Sequence, residues 1–328
     1  MKLLVIDSGT TNSRVRLMDG DRIAASVCRS VGSRDVAIAG HTEVLERALR
    51  EAISEILSSN SISLEDIEAI VASGMITSNM GLMDIPHLPA PATAAQVSAG
   101  IVERIFPAVA PKPIHFIPGV KTGFIGEAEL SRKDMMRGEE AEVFGFMAHS
   151  GDAAQEPLVF MHYGSHHKAI LLEGGEIKRC STSVTGELMM AILQSTILKS
   201  SLPSPAEMRP DLKQVRTGLA IAEAAGFGRA IFSSRVLNVM ERRDRQEAAG
   251  IFLGALLSLD LAMLNDLLTP DIRKLVLYGK ALFPSIFKPI VQERHPHLEI
   301  TVVPEEQSDT LSAQGAVSLY RHYKSGIR

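Results

Sequence analysis

The sequence has no tryptophan and only four tyrosines, so aromatics make up 5% of its 328 residues. Its two cysteines, Cys28 and Cys180, lie far apart with no Cys-x-x-Cys or Cys/His spacing, which argues against a disulfide framework or a structural metal site. No stretch reaches the ~18 uninterrupted apolar residues of a membrane span. The N-terminal apolar run, Leu3 to Ile6, stops at Asp7, short of the roughly 7–15 residues of a secretory signal core. A soluble, cytoplasmic chain is the expectation. Basic and acidic residues, 34 and 38 with a formal net charge of -4, are interspersed without a long Lys/Arg run, so neither nucleic acid nor an anionic membrane is indicated as a partner. A small-molecule ligand fits better. With 45% apolar residues the chain can bury sizeable cores, and its length exceeds what one core usually supports, so two domains or two halves around a cleft are expected.

The opening, "KLLVIDSGTTNSRVRLMDGDRIAASVCRS", reads as strand, small-residue loop, strand, tight turn at Gly20 and third strand. Apolar spacing from Thr42 to Leu57 is helical, and "EAIVASG" is a buried strand that ends in a loop from Ser73 to Asn79. A helix begins near Glu139 and is capped at Gly151, and the polar segment up to Pro157 is the expected domain boundary. Then "LVFMHYGSHHKAILLEGGEIKRC" repeats the opening pattern, with a loop at Gly164-Ser165 and a turn at Gly174-Gly175. The same supersecondary unit thus opens each half. Further on, a helix follows Gly186, "SSLPSPAEMRPDL" is a proline-broken loop, and a long apolar helix carries Gly250 and Gly254 on one face, which allows close helix packing. "LVLYGK" is a strand with a glycine turn at Gly279 that opens a helix, and a final strand and helix close the chain.

Glycine lets a backbone approach a phosphate closely, while hydroxyls and free N–H groups point at its oxygens. The loop Gly9-Thr10-Thr11-Asn12 leads into a strand, so it is neither a Walker loop nor a dinucleotide fingerprint. Alone it reads more readily as a plain β-turn than as a ligand loop. Paired with Gly164-Ser165 it becomes one of two phosphate loops of a duplicated domain facing a cleft. Asp7 could hold Mg²⁺ through water, or initiate the turn. Gly279 could approach a base or ribose, or serve only the strand-to-helix turn.

"IDSGTTNSR", "SGMITSNMGL", "MMRGEEAEVFG", "GSHHK" and "TGEL" occur in the order and with similar separations seen in the 2-dehydro-3-deoxygalactonokinase family of the sugar kinase/hsp70/actin superfamily, and the resemblance covers nearly the whole chain. RGEE and TGEL with the paired loops are specific; the GTTN loop marks only the superfamily. Ser8 stands where the family usually has Trp, Ser13 where it often has Leu, and Leu82 where it often carries an aromatic. The second loop also lacks the family's Pro-Gly approach and its Trp after the lysine. The phosphate chemistry looks retained and the sugar pocket altered.

The resemblance implies an α/β fold of two actin-like (ribonuclease H-like) domains, with duplicated β-hairpin phosphate loops around a central cleft. They would span residues 1–150 and 151–328, the last helix returning to the first domain. It implies an ATP- and Mg²⁺-dependent kinase that phosphorylates the 6-hydroxyl of 2-dehydro-3-deoxy-D-galactonate, with another sugar acid, or a nucleotide-binding sensor on the same fold, as alternatives. ATP and the sugar acid are the expected partners, and a homodimer is left open. Glu139 is the candidate base, Glu140 beside it more simply complementing the helix N-terminus. Arg137, in the same motif, and Arg14 could each pair with phosphate or with the substrate carboxylate. Gly9, Thr10, Thr11, Asn12, Arg14, Gly164, Ser165, His166, Lys168 and Gly279 would serve the nucleotide, and Asp7 the metal. Ser73, Thr77, Ser78 and Asn79 would bond sugar hydroxyls or cap turns. His162 and His167 read as surface or packing residues.

Overall fold

The computed structural model describes residues 1–123, 130–151 and 155–326. They divide into two compact units, one comprising Met1–Pro157, Leu171–Cys180 and Glu306–Arg328, the other Leu158–Ile170 and Ser181–Glu305. The polar segment expected at the domain boundary lies partly outside the described residues, at 152–154.

In the first unit, β1 (Lys2–Ser8), β2 (Ser13–Asp19) and β3 (Arg22–Arg29) form an antiparallel meander, followed by α1 (Ser33–Ala39) and α2 (Glu43–Ser59). β4 (Ala69–Gly74) then pairs parallel with β1. After the short β5 (Leu88–Pro89), β6 (Ala92–Thr93) and α3 (Ala94–Ala99), a hairpin of β7 (Val102–Phe106) and β8 (Ala110–Phe116) completes the order β3-β2-β1-β4-β8-β7. β9 (Val120–Lys121) and β10 (Met135–Met136) form a small sheet with β5, and α4 (Glu139–Ser150) follows. β4 is buried throughout, as a central strand covered on both faces must be, whereas the edge strand β3 has no fully buried residue. Leu45, Leu49, Ala52, Ile53 and Ile56 give α2 an apolar stripe that joins the core of this sheet.

The second unit begins with β11 (Leu158–Tyr163), β12 (His167–Glu173) and β13 (Glu176–Ser183), and α5 (Thr185–Ser195) follows. Next come three helices, α6 (Leu212–Ala225), α7 (Phe227–Val239) and α8 (Arg245–Leu267), then β14 (Lys274–Gly279), α9 (Leu282–Arg294) and β15 (Glu299–Val302). The sheet order is β15-β14-β11-β12-β13-β6. The turn of the β12–β13 hairpin is counted with the first unit, where Glu176 and Ile177 pair with Thr93 and Ala92. The series β3-β2-β1-β4-β8 and β13-β12-β11-β14-β15 therefore have the same order, with parallel pairing from the third strand onward in each.

α8 is long and apolar enough to cross a membrane, yet 78% of its apolar window is buried in the fold, as in a core helix. Gly254 and, on the facing helix, Gly218 let α8 and α6 touch backbone to backbone: a Cβ at Gly254 would lie 2.7 Å from Leu219 N, and one at Gly218 2.7 Å from Ile251 Cα.

α10 (Glu305–Gly326) lies against α4 in the first unit. A Cβ on Gly315 would stand 2.8 Å from Gly145 N, and one on Gly145 3.0 Å from Gly315 N. Arg321 Nη1 donates to Asp21 Oδ1 at 2.7 Å, and Lys324 pairs with Glu68. Because the α4–α10 contact has no room for a methyl, Gly315→Ala is expected to destabilise the protein by about 1–3 kcal/mol or more, as overpacked cores do. Denaturant melts check this; an unchanged midpoint would show that the two helices separate freely.

Candidate active site

In the first unit three backbone segments converge at the ends of β1 and β4. Gly74, the last residue of β4, has φ +88°, and a side chain there would collide with the carbonyl of Ser8 at the end of β1. Gly138, just before α4, presses on Gly74 in turn, its missing Cβ 3.1 Å from Gly74 Cα. The loop after β1 is closed by Gly9 N donating to Asn12 O at 2.9 Å, with Asn12 Nδ2 donating to Thr11 Oγ1 at 3.0 Å. It is held from the far side by α1, where Ser33 N donates to Gly9 O at 3.1 Å and Arg34 N to Thr10 O at 3.0 Å. Gly32 permits this approach, since its Cβ would lie 2.6 Å from Gly9 O.

This convergence gathers Asp7, Arg14, Ser73 and Glu139 into one unit. Asp7 is in register with Arg14 on β2 and with Ser73 on β4. Ser73 Oγ is buried and has no hydrogen-bond partner among the described residues, a polar atom whose bond water or a bound molecule would supply. Arg16, almost fully buried, lies 3.7 Å from Asp7 Oδ2 and reaches Ser312 Oγ of α10 at 3.5 Å. Thr77 and Ser78 spend their hydroxyls locally: Thr77 Oγ1 donates to Gly74 O at 3.0 Å and Ser78 Oγ to Met75 O at 2.7 Å. Asn79 is exposed. Ser8 and Ser13, two positions where the chain departs from the family loop, face each other across β1 and β2, buried and bonded Oγ to Oγ at 2.8 Å, and Ser13 also bonds Val31 O.

The Arg137-Gly138-Glu139-Glu140 segment has a division of labour. The Arg137 guanidinium donates to Thr77 O, to Thr77 Oγ1 at 2.6 Å and to Ile85 O at 2.8 Å, and it contacts His87 Nδ1 at 3.1 Å. It therefore pins the segment after β4. Its pKa is lowered by desolvation, against the pull of Glu140 and Asp84. Glu139, half-buried at the start of α4, accepts from Arg137 N at 2.9 Å. Glu140 is fully buried and accepts from Gly138 N at 2.8 Å. Burial, reinforced by the Glu139 charge, pushes its pKa up to about 8.

The second unit repeats the glycine contacts. Gly279 ends β14 with φ +118°, and its Cβ would lie 2.5 Å from the carbonyl of Tyr163 at the end of β11. Gly186 at the start of α5 would clash with Ser165 O at 2.8 Å, and Glu187 N donates to Ser165 O at 2.7 Å. Gly164, Ser165 and His166 thus form a loop clamped as Gly9–Asn12 is. His166 Nε2 meets Glu187 Oε2 at 2.9 Å on the surface, while Lys168 is buried with Nζ donating to Thr182 Oγ1 at 2.8 Å. A cavity of about 450 Å³ in this unit is lined by Pro205, Met208 and Pro210 and by Ala281, Leu282 and Ile286, which follow Gly279 in the chain.

Among the described residues no group of three or more His, Cys, Asp or Glu could cage a metal. A single partly exposed carboxylate, Asp7, in register with the unpartnered Ser73 hydroxyl suits an ion that keeps most of its water shell, as Mg²⁺ does. Sequence reading overlooked Gly32, Arg16 and Asp260. A lone acid inside the apolar run of α8 was the available signal for Asp260.

A family model described as 2-keto-3-deoxy-galactonokinase matches residues 7–314. The 2-dehydro-3-deoxygalactonokinase of Escherichia coli (strain K12) is 24% identical over 274 residues, 81% of each chain. A Rhizobium meliloti (strain 1021) protein assigned the same activity is 26% identical over 265 residues, 78% of each. Among solved structures, a Sinorhizobium meliloti protein assigned that activity aligns with TM-score 0.76 at 19% identity over 97% of this chain and 98% of its own. The (R)-2-hydroxyglutaryl-CoA dehydratase component A of Acidaminococcus fermentans aligns with TM-score 0.50 at 15% identity over 100% of both chains. The α/β actin-like fold expected from the loops and from the RGEE and TGEL blocks is borne out.

Glu140 gives the stability of the protein a pH dependence of known sign. Its carboxyl ionises near 4.5 in the unfolded chain and near 8 in the fold, so between these values only the folded form holds the proton. That contribution is whole below pH 4.5 and declines as pH rises to about 8. Glu140→Gln is expected to flatten the decline in urea melts taken from pH 5 to 8; an unchanged slope would mean that Glu140 ionises normally.

Proposed function

The chain belongs to the 2-keto-3-deoxy-galactonokinase family, and we infer that it transfers the γ-phosphoryl group of ATP to the 6-hydroxyl of 2-dehydro-3-deoxy-D-galactonate. One observation supports the site assignment above all: the convergence of Ser8, Gly74 and Gly138, which sets a half-buried carboxylate, a buried unpartnered hydroxyl and the Gly9–Asn12 loop in one unit. Phosphoryl transfer asks for alignment, charge neutralisation and a base, and little else of the protein.

In this reading the Gly164–His166 loop takes nucleotide phosphates on its backbone N–H groups, with Lys168 adding positive charge beneath it. Gly279 and the cavity lined by Ala281 and Leu282 take the nucleoside. The Gly9–Asn12 loop and Arg14 address the transferring phosphoryl group, and Asp7 holds hydrated Mg²⁺. The ion, when bound, neutralises charge on the phosphate oxygens. Glu139 accepts the proton of the attacking hydroxyl, and Ser73 bonds the sugar acid. Arg137 acts through the Thr77–His87 segment, which it keeps in place. Thr77 and Ser78 shape that turn, and Asn79 at its exposed tip is the group free to meet the sugar. The protein works in the cytoplasm, where ATP is supplied.

An ADP-coupled assay with 2-dehydro-3-deoxygalactonate tests the activity; no ATP turnover with this or any related keto-deoxy acid would sink it. Glu139→Gln is expected to lower kcat by about 10²–10⁴-fold, the usual share of a general base, while leaving nucleotide affinity in place. Normal turnover by that variant would remove Glu139 from the role.

A further inference from the structure

A buried polar cluster lies directly under the second loop, and the chemistry above does not use it. Asp260, in the middle of α8, is wholly buried. Its Oδ2 lies 2.9 Å from Nδ1 of His167, itself 1% exposed, and its Oδ1 accepts from Thr185 Oγ1 at 2.8 Å. A carboxylate only accepts, so His167 Nδ1 is the donor. Ser183 Oγ completes the chain, 2.6 Å from Thr185 Oγ1. The His167 ring is edge-on to Phe283 and Tyr163, with centroids 4.4 and 4.9 Å away, which fixes its orientation.

The two partners of Asp260 belong to the two elements that adjoin the Gly164–His166 loop. His167 is the first residue of β12, directly after it. Thr185 is the first residue of α5, next to Gly186, which presses on the loop carbonyls, and two before Glu187, whose N–H holds Ser165 O. One carboxylate on the core helix α8 thus ties together the strand that leaves the loop and the helix that packs on it. We propose that Asp260, acting through His167 and Thr185, is the positioning residue that presents this loop to nucleotide phosphate. The proposal rests on the nucleotide role given to the loop above.

Asn in place of Asp260 keeps the shape but has one acceptor oxygen for two donors, so the His167 tie is lost or held only by a change of tautomer that puts a proton on its buried Nε2. Thr185→Val cuts only the α5 tie, and Thr185→Ser keeps the hydroxyl. With ADP as probe in titration calorimetry, Asp260→Asn is expected to raise Kd by about 10- to 100-fold, the range typical of outer partners that orient a binding group. The KM for ATP should rise with it, while the KM for the sugar acid stays put. Thr185→Val should move in the same direction and Thr185→Ser should restore wild-type affinity, which keeps the test open if Asp260→Asn does not fold. A folded Asp260→Asn or Thr185→Val protein that binds ADP as the wild type does overturns the positioning role alone. A wild-type protein that binds no ADP overturns the nucleotide reading together with it.

Discussion

In both units the end of one parallel strand is pressed onto the end of its neighbour, at a distance only glycine allows. Gly74 meets Ser8 in the first, and Gly279 meets Tyr163 in the second, each with a positive φ that an L side chain rarely adopts. The candidate phosphate loops of both units start from that crossing. The loops that follow the first strands, Gly9–Asn12 and Gly164–His166, emerge beside it, and a second glycine contact, from Gly32 or Gly186, closes on each loop from the adjacent helix. Loops at the carboxyl ends of parallel strands are where open α/β sheets receive ligands. Here four backbone contacts at glycine bring these segments together.

Charge is managed just as locally around Gly138. Two adjacent carboxyls at one helix start would repel each other, but burial keeps Glu140 protonated up to about pH 8, so the repulsion is relieved at neutral pH. The Arg137 guanidinium puts its donors into carbonyls and a hydroxyl of the segment after β4, while its backbone N–H goes to Glu139. Glu139 remains as the partly exposed acid of the motif.

Local patterns made much of this legible. The hairpins at Gly9 and Gly164, the α4 start at Glu139 and the apolar α8 all follow from periodicity and turn residues, and RGEE and TGEL carried the family. α1 was missed because seven residues starting at Ser33 bury almost nothing and owe their place to Gly32 against the loop. α6 and α7 were hidden behind the proline-rich approach: Asp211 caps α6 directly after Pro210, and α7 buries only Ala230 and Ser234. The roles of Arg16, Glu140 and Asp260 depend on burial and on partners distant in sequence, which no local window contains.

The return of α10 to α4 has a consequence for how the molecule is made. The first unit begins at Met1, yet the groove at Gly145 on α4 is filled by the backbone of Leu311 and Gly315 on α10. A ribosome delivers these two glycines 170 positions apart. During synthesis the β1–β4 sheet therefore waits, with the α4 face open, while residues of the second unit emerge and can condense first. The unit encoded first is the one finished last.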